Sequence, residues 1–402
     1  MRFLFCSLAS RGFVYPCIAI AQELRNKGHE VAFVTDVSFT EELRNLGFER
    51  IPRGAKDGGS FWSQAWYEPV AILIQVKHIE HALTQFCPDI IVGQHLTFGP
   101  LLVRERQSIP LALVGSATYL WPTKGCNPDR PRSEDERRKV WRLNSMLKTY
   151  KEVRKLSGLK PWAKVPADNP LLADLFMIRS VPELETSTAE LPEQAHLIGA
   201  CLWEPRQTCL ELEEWLESEL SAGKPVVYVH QGRFFQFPHF WSDLIKVSVE
   251  LGVRVAASTD VMDCDIGQLP QDSFIRPHVP QSQVLRKAST AVLSANATAA
   301  LGALCAGVPT LLIPAGGEQP DVAEVCKNAG SAIVLEPQSV TVEILRRELQ
   351  ILLTNTQMRR EAQRLSSAFS QVNSAKTAGD LLERLAGENN QNVKPCDVAL
   401  QL

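Results

Sequence analysis

No stretch of this 402-residue sequence stays apolar for the roughly 20 residues that a membrane-spanning helix needs. One of the longest apolar runs, VAILIQV, covers only residues 70–76. The apolar start, RFLFCSL, is followed by helical and strand patterns, so it is interpreted as a first strand and not as a signal peptide. We therefore expect a cytoplasmic protein without stable membrane insertion.

The sequence also lacks an excess of charge and a cysteine framework. Lys and Arg number 42 against 45 for Asp and Glu, a formal net charge of −3, which gives no electrostatic reason to expect nucleic acid as a partner. The 10 cysteines form no CxxC pair or other paired spacing. Scattered thiols are typical of a reducing compartment and not of a secreted disulfide scaffold.

Several signatures of other enzyme classes are missing. There is no P-loop, and the first strand–helix turn has no GxGxxG, which argues against kinases and NAD-dependent enzymes. Two patterns resemble metal sites, DCD at Asp263–Asp265 and the pair His78 and His81. The first is interpreted as a polar loop, and the second has no third ligand nearby. No metal site is predicted.

What the sequence does contain is a repeated alternation of short apolar strands with helices. Fully apolar strands of this kind predict parallel sheets covered on both faces, so we expect doubly wound α/β domains. The alternation restarts after an acidic helical segment near residues 205–222, which predicts two domains, 1–204 and 205–369, followed by a polar tail at 389–402. Long helices are expected at Val14–Lys27, Ser63–Phe86, Glu134–Leu156 and Phe240–Leu251.

Ligands of doubly wound sheets bind at the carboxyl ends of strands, so the loops there are the candidate sites. SANATAALGALCAG follows the strand TAVL and consists of small residues that open a helix. Its helix N-terminus suits a phosphate, and Ser294, Asn296 and Thr298 add side-chain donors. The alternative is an ordinary N-cap without a ligand.

Three further loops carry polar residues in suitable places. In HQGRFF, Gly232 permits a tight turn and Arg233 offers a guanidinium for a phosphate, although a plain surface arginine fits equally. In HVPQ, the His278 ring can stack on a base or be an ordinary loop histidine. In PAGGEQPD, Glu318 and Gln319 can bind sugar hydroxyls or simply begin a helix.

Taken in order, these loops resemble a known family. The run HVPQSQVLRKASTAVLSANATAALGALCAGVPTLLIPAGGEQPD resembles the donor-binding signature of family 1 nucleotide-sugar glycosyltransferases, which have the two-domain GT-B fold. RGFVYPCIAIAQELRNKGHEVAFVT resembles the start of their acceptor domain, and GKPVVYVHQGR the first strand of their donor domain. The resemblance is strong over Phe274–Gly330, fair over residues 1–35 and thin over Trp121–Pro170.

The resemblance implies two facing Rossmann-like domains with a cleft between them, the first for the acceptor and the second for the donor. It implies that a helix at about 370–388 returns to the first domain. It also implies an inverting, metal-independent transfer from a UDP or dTDP sugar, a co-substrate, with no further cofactor. The residues expected to bind the nucleotide sugar are Gly12, Gly232, Arg233, His278, Val279, Ser294, Asn296, Ala297, Thr298, Glu318 and Gln319.

Position by position, His278 matches the aromatic residue that stacks on the base, and Glu318 and Gln319 match the acidic–Gln pair on the donor sugar. Ser294 matches a histidine that opens the family's diphosphate loop. Asn296 and the residue before it match two glycines of that loop. These departures leave the phosphate contacts to be tested.

The acceptor side departs further. Phe13 stands where the family has its general-base histidine, and Gln94 lies near the position of the carboxylate that orients it. Phenylalanine cannot accept a proton, so other groups become candidates for catalysis: His95 as base, Asp36 as a weaker base and Arg11 as an anion ligand. Some acceptors need little base, and then orientation and stabilisation of the departing diphosphate suffice.

Two functions are therefore open. The first is glycosyl transfer to a small natural-product or lipid-like acceptor, whose binding site is lined by Phe13, Tyr15, the aromatic stretch 61–67 and His95. Core packing is the competing role of the aromatic side chains. The second is a catalytically silent relative that binds a nucleotide sugar and assists an active transferase. A homodimer is compatible with either.

Overall fold

The computed structural model describes residues 1–55, 57–116, 120–121, 125–162, 169–185, 191–205, 208–218, 223–232, 237, 239–259, 270 and 272–390. Its strands are β1 (Arg2–Cys6), β2 (Glu30–Val34), β3 (Glu49–Arg50), β4 (Ile90–Gln94), β5 (Leu111–Gly115), β6 (Leu175–Ile178), β7 (Ala195–Leu197), β8 (Val226–His230), β9 (Arg254–Ser258), β10 (Ser273–Arg276), β11 (Ala288–Leu293), β12 (Thr310–Leu312) and β13 (Ala332–Val334).

The α-helices among the described residues are α1 (Arg11–Asn26), α2 (Thr40–Asn45), α3 (Pro69–Phe86), α4 (Phe98–Gln107), α5 (Glu134–Leu156), α6 (Leu210–Leu216), α7 (Phe240–Leu251), α8 (Gln281–Leu285), α9 (Ala297–Cys305), α10 (Gln319–Asn328), α11 (Val342–Thr354), α12 (Thr356–Ser370) and α13 (Ser374–Asn390). None of them is long and apolar enough to cross a membrane.

The chain divides into two compact units. Unit 1 takes its described residues from Met1–Ser180, Thr188–Trp203 and Asn373–Leu402, and unit 2 from Val181–Ser187 and Glu204–Val372. The division thus falls between residues 203 and 204, beside the predicted boundary. The predicted first domain, 1–204, includes the segment that starts at Val181, but in the structure the described residues of this segment belong to unit 2. The carboxylate of Glu185 in this segment interacts electrostatically with the thiol of Cys326 in α10. Burial, and to a smaller extent this negative charge, raise the pKa of the Cys326 thiol to about 12.

Unit 1 contains a seven-stranded parallel sheet in the order β3-β2-β1-β4-β5-β6-β7. Its inner strands β1, β4, β5 and β6 are almost entirely buried, and separate apolar clusters cover the two faces of the sheet. Side chains of β1 alternate between them: Leu4 belongs to one cluster, and Phe3 and Phe5 to the other. The predicted doubly wound arrangement is therefore confirmed for this unit.

Unit 2 contains a six-stranded parallel sheet in the order β10-β9-β8-β11-β12-β13. One face packs against α7 and α11 through a cluster that includes Val229 of β8 and Val292 of β11. Helix α9 is in contact with α8, α10 and α12. This unit confirms the second predicted parallel α/β domain.

Helix bounds show where local signals suffice. Helix α5 has the predicted bounds, and its start is set by a capping box in which Ser133 and Glu136 each bind the other's backbone N–H. Helix α3 begins at Pro69 and not at Ser63, since a proline has no N–H to donate and favours the first helical turn. The preceding stretch instead places Phe61 beside the β1–α1 loop, where its carbonyl accepts the Ala9 N–H at 2.7 Å.

Helix α13 packs on α1 within unit 1. Its buried side chains include Leu382, which is fully buried in the same cluster as Leu24. At the rim, Lys27 Nζ lies 2.7 Å from a Glu383 oxygen, and His29 Nε2 lies 2.7 Å from the other. These two contacts lower the pKa of Glu383, so their stabilisation is present above the ordinary carboxyl pKa and is lost as the pH falls through the folded value.

We expect Leu382→Ala to lower the free energy of unfolding of unit 1 by about 2–5 kcal/mol, because it leaves a cavity between α13 and α1. Calorimetric unfolding of the full chain measures this, with the exposed Glu388→Ala on the same helix as control. Equal transitions for the two variants would contradict the packing of α13 on α1.

Candidate functional site

The carboxyl edge of the unit 2 sheet brings two of the predicted loops together. Gly232, just after β8, has φ +70, and a Cβ built on it would lie 3.6 Å from Ser294 Oγ and 3.9 Å from Asn296 Nδ2. The Ser294 N–H donates to the His230 carbonyl at 3.3 Å, which continues the β8–β11 ladder. Three residues predicted from separate loops therefore lie side by side.

Helix α9 starts at this point. Asn296 is its N-cap, with Oδ1 accepting the Ala299 N–H at 3.0 Å, so the capping role proposed as the alternative is present. Ala295 adopts φ +63, a left-handed conformation that turns the chain sharply into the helix. Ala297 is buried in the first turn. The N–H groups and the positive end of α9 thus open beside Gly232 and favour an anion there.

Two side chains at this edge keep buried polar atoms without a hydrogen-bond partner in the described part of the chain. One is Ser294 Oγ, which is fully buried. The other is the Gln231 amide, which the sequence analysis overlooked. The available signal was a glutamine two positions beyond Val229 in the run VVYVHQ, where side-chain alternation predicts the buried face of the strand.

The HVPQ loop follows β10. His278 is exposed, whereas Val279 is buried and its N–H donates to Ser258 Oγ at 3.3 Å. The next helix, α8, is closed to an anion because Glu204 accepts the N–H groups of Gln281 and Ser282, each at 3.1 Å. Of these groups, His278 is the exposed one.

The PAGGEQ loop is closed by its own glutamine. Gln319 Oε1 accepts the Ala315 N–H at 2.7 Å, across Gly316 and Gly317, which adopt φ 145 and 63. Glu318 is half-buried at the N-cap of α10 without capping it. The loop is therefore preformed, with the Gln319 oxygen committed to the backbone.

Several residues named in the sequence analysis add little at this edge. Thr298 offers its carbonyl to Gln281 Nε2 at 3.4 Å, a contact between α9 and α8. Arg233 and Asp263–Asp265 lie outside the described residues. Within the described part, no group of three His, Cys, Asp or Glu side chains could hold a metal ion.

In unit 1, the catalytic candidates follow three neighbouring strands, β2, β1 and β4. Asp36, after β2, accepts the Ser38 N–H at 3.1 Å and so caps a short 3₁₀ turn. Arg11, after β1, is exposed at the first position of α1. The third candidate, His95, directly follows β4 and is 3% exposed. Parallel strand ends thus place all three candidates at one edge of the sheet.

The protonation of His95 follows from Gln94. Gln94 Oε1 accepts the Leu96 N–H at 3.0 Å, which fixes the amide orientation and directs Nε2 to His95 Nδ1 at 2.8 Å. Because that amide nitrogen donates, His95 Nδ1 accepts and the ring proton lies on Nε2. In this tautomer His95 is a hydrogen-bond donor and not a base.

Phe13 and Gly115 enclose the His95 ring. The Phe13 ring meets it edge-on at 6.2 Å between centroids. A Cβ on Gly115, at the end of β5, would lie 2.1 Å from His95 Nδ1, so only glycine leaves room for the imidazole. Phe13, which the resemblance places where the family has its base, is therefore packed against the His95 ring.

Gly12, predicted to contact the nucleotide sugar, is tied to a buried arginine. Its carbonyl lies 3.5 Å from Arg179 Nη1, and Arg179 Nε also donates to the Ala200 carbonyl at 3.0 Å. These bonds fix the first turn of α1 against the end of β6 within unit 1.

The aromatic wall is divided between core and surface. Tyr15 is buried against Trp203, with ring centroids 4.8 Å apart, and Phe61 is fully buried, so both belong to the core. Trp66 is half-buried, and Tyr67 is 46% exposed. Phe13 and Trp66 are partly buried and pack against the edge of the apolar core, so they remain the candidates for an acceptor-binding wall.

Comparison with known proteins links each unit to a family model. Residues 4–103 match the glycosyltransferase family 28 N-terminal domain, and residues 265–372 match the UDP-glucoronosyl and UDP-glucosyl transferase family. The first match lies in unit 1 and the second in unit 2, in the order expected from the sequence.

Two curated relatives align with almost the whole length of this chain. The chain is 23% identical to 4'-demethylrebeccamycin synthase of Lentzea aerocolonigenes, covering 96% of this chain and 99% of that protein. It is 26% identical to glycosyltransferase GtfE of Amycolatopsis orientalis, covering 98% and 100%.

Solved structures share the fold. The glycotransferase of kitacinnamycin superposes with a TM-score of 0.73 at 19% identity, covering 96% of this chain and 98% of that one. Glycosyltransferase VinC in complex with dTDP gives 0.68 at 18% identity, covering 96% and 100%. These likenesses confirm the predicted GT-B fold.

We expect Gly115→Ala to displace the His95 ring and to lower the free energy of unfolding by about 1–3 kcal/mol through overpacking. Histidine-labelled NMR would show shifted His95 ring resonances. The control is Gly387→Ala on α13, where a Cβ meets nothing within 4 Å. Unchanged His95 resonances in Gly115→Ala would contradict the close contact.

Proposed function

We propose that this chain transfers a sugar from a UDP or dTDP donor to a small natural-product or lipid-like acceptor. The proposal starts from the family to which the chain belongs, the family 1 nucleotide-sugar glycosyltransferases of the GT-B fold. The UDP family match and the dTDP complex of VinC support the two donor classes equally. Relatives such as 4'-demethylrebeccamycin synthase support an acceptor of the natural-product kind.

The observation that carries the proposal is the assembly of Gly232, Ser294 and Asn296 at the N-terminus of α9. When the bond between the sugar and the diphosphate of the donor breaks, negative charge grows on the departing diphosphate. A helix N-terminus and neutral donors held beside it stabilise that charge without rearrangement. We therefore propose a metal-independent, inverting transfer, as the family resemblance implies. In this proposal the His278 ring stacks on the nucleobase of the donor, and Glu318 and Gln319 bind the hydroxyl groups of its sugar.

On the acceptor side, the tautomer of His95 shapes the proposal. With its proton on Nε2, His95 donates a hydrogen bond and can orient an acceptor heteroatom. To act as the base, it must move this proton, and the Gln94 amide must turn and give up the Leu96 N–H. We propose that the transfer relies on orientation and leaving-group stabilisation and uses an acceptor that needs little base.

The second candidate function is a silent nucleotide-sugar-binding relative that assists an active transferase. The observation favouring it is the pair Phe13 and Gln94 at the positions of the family's base and its carboxylate. Donor binding is common to both functions, and turnover with any acceptor separates them.

We expect calorimetric titration to show binding of UDP or dTDP, with a nucleotide sugar bound through the same site. Arg233→Ala should weaken both ligands, because the family resemblance implies that this residue lies near the diphosphate. Glu318→Ala should weaken the nucleotide sugar about 10-fold while sparing the free nucleotide, because it removes a contact to the sugar.

The control for these variants is Glu217→Ala, an exposed glutamate of unit 2 that lies 3.1 Å from Lys287 before β11 begins. Absence of binding to UDP, dTDP and their sugars would contradict the donor site, and with it both candidate functions.

A second prediction concerns His95, measured with an acceptor from a screen against the bound donor. If His95 is the base, His95→Ala should lower kcat about 10²-fold or more with donor affinity kept. Its role as an orienting donor predicts a smaller loss. His81→Ala on α3 is the matched control.

Gln94→Glu separates the two roles further. A carboxylate would accept the His95 Nδ1 proton and leave Nε2 as a free acceptor, so the rate should rise if base catalysis is then available. An unchanged rate in both Gln94→Glu and His95→Ala would remove His95 from the catalytic residues.

A further inference from the structure

Gln231 and Ser294 stand next to each other at the ends of adjacent strands. The β8–β11 register pairs Val229 with Val292 and His230 with Leu293. The ladder continues one step, since the Ser294 N–H donates to the His230 carbonyl. Gln231 and Ser294 are therefore the next pair in register.

Side-chain alternation places this pair on a known face of the sheet. Gln231 follows Val229 by two positions, and Ser294 follows Val292 by two. Both valines belong to the apolar cluster between the sheet, α7 and α11. The pair thus ends that apolar face with an amide and a hydroxyl.

Both side chains are buried in a costly state. Gln231 is 3% exposed and Ser294 is fully buried. In the part of the chain that the structure describes, neither polar atom of the Gln231 amide nor Ser294 Oγ has a hydrogen-bond partner. Burial of a polar group without a partner is unfavourable and is found where a ligand or water completes the bonds.

The surroundings of the pair favour an anion. Gly232 leaves its side-chain position empty, and that position lies 3.6 Å from Ser294 Oγ and 3.9 Å from Asn296 Nδ2. The N-terminus of the nine-residue α9 opens there, with its positive end toward the same loop. An amide N–H₂, a hydroxyl and helix N–H groups are all donors, and their shared complement is a phosphate oxygen.

We infer that Gln231, together with Ser294, donates hydrogen bonds to the diphosphate of the donor nucleotide. The inference rests on the proposed function and adds Gln231 to the donor site. Gln231 Nε2 and Ser294 Oγ then provide two neutral donors in place of the histidine that opens this loop in the family. The bound diphosphate then supplies the acceptor that Gln231 Nε2 and the Ser294 hydroxyl lack among the described residues.

The test compares nucleotide affinity with the stability of the free protein. Gln231→Leu and Gln231→Met remove the amide and keep most of its volume. We expect the Kd for UDP or dTDP, measured by calorimetry, to rise about 10-fold or more, because a bond to a charged ligand is lost. The melting temperature without nucleotide should stay the same or rise, because an unpartnered polar group becomes apolar. Ser294→Ala should behave in the same way.

Thr310→Val is the matched control. Thr310 Oγ1 is fully buried and has no hydrogen-bond partner among the described residues, but it lies at the amino end of β12 in the same sheet. Its removal should change stability like the test variants and leave the Kd unchanged.

The outcomes separate the inference from the proposed function. Nucleotide binding by the wild type with an unchanged Kd in Gln231→Leu and Gln231→Met would overturn the role of Gln231 and leave the donor site standing. A lower melting temperature with an unchanged Kd would overturn it in favour of a structural role, such as holding a buried water. No binding of UDP or dTDP by the wild type would overturn the proposed function and the inference with it.

Discussion

The parallel pairing of β8 with β11 is the constraint on which the candidate donor site depends. The bond from the Ser294 N–H to the His230 carbonyl, 3.3 Å long, joins the last residue of β8 to the residue that follows β11. It brings the loop after β8, with Gly232, against the loop that opens α9, although about 60 residues of sequence separate them. Without this register the helix N-terminus and the glycine would not face one space.

The loops of unit 2 and the strand ends of unit 1 depart from the family pattern in different ways. In unit 2, Ser294 and Asn296 stand where the resemblance implies a histidine and a glycine, and the N-terminus of α9 supplies positive potential beside them. In unit 1, the resemblance places Phe13 at the family's base position and Gln94 near its carboxylate position, and the bond from the Gln94 amide leaves the ring proton of His95 on Nε2. The proposed reliance on leaving-group stabilisation more than on a base is drawn from this contrast.

Elements with strong local signals were predictable from the sequence. Helix α5 has its capping box, and the apolar strands alternate with helices in the order that the two sheets require. Local signals failed where tertiary contacts decide. A helix was expected from Ser63, but the preceding Phe61 carbonyl accepts the Ala9 N–H, and α3 begins only at Pro69. The Val181 segment groups with unit 2, which no local pattern indicates.

The sequence by itself determined the fold class, the family and the loops that carry polar residues, because hydrophobic period and motif order are local and survive at low identity. Only the tertiary structure decided what those residues do. Whether Asn296 caps, whether His95 accepts or donates, and whether the Gln231 amide finds a partner depend on neighbours that are distant in sequence. Burial makes each of these contacts consequential, since a polar atom away from water must bind something that the fold or a ligand brings to it.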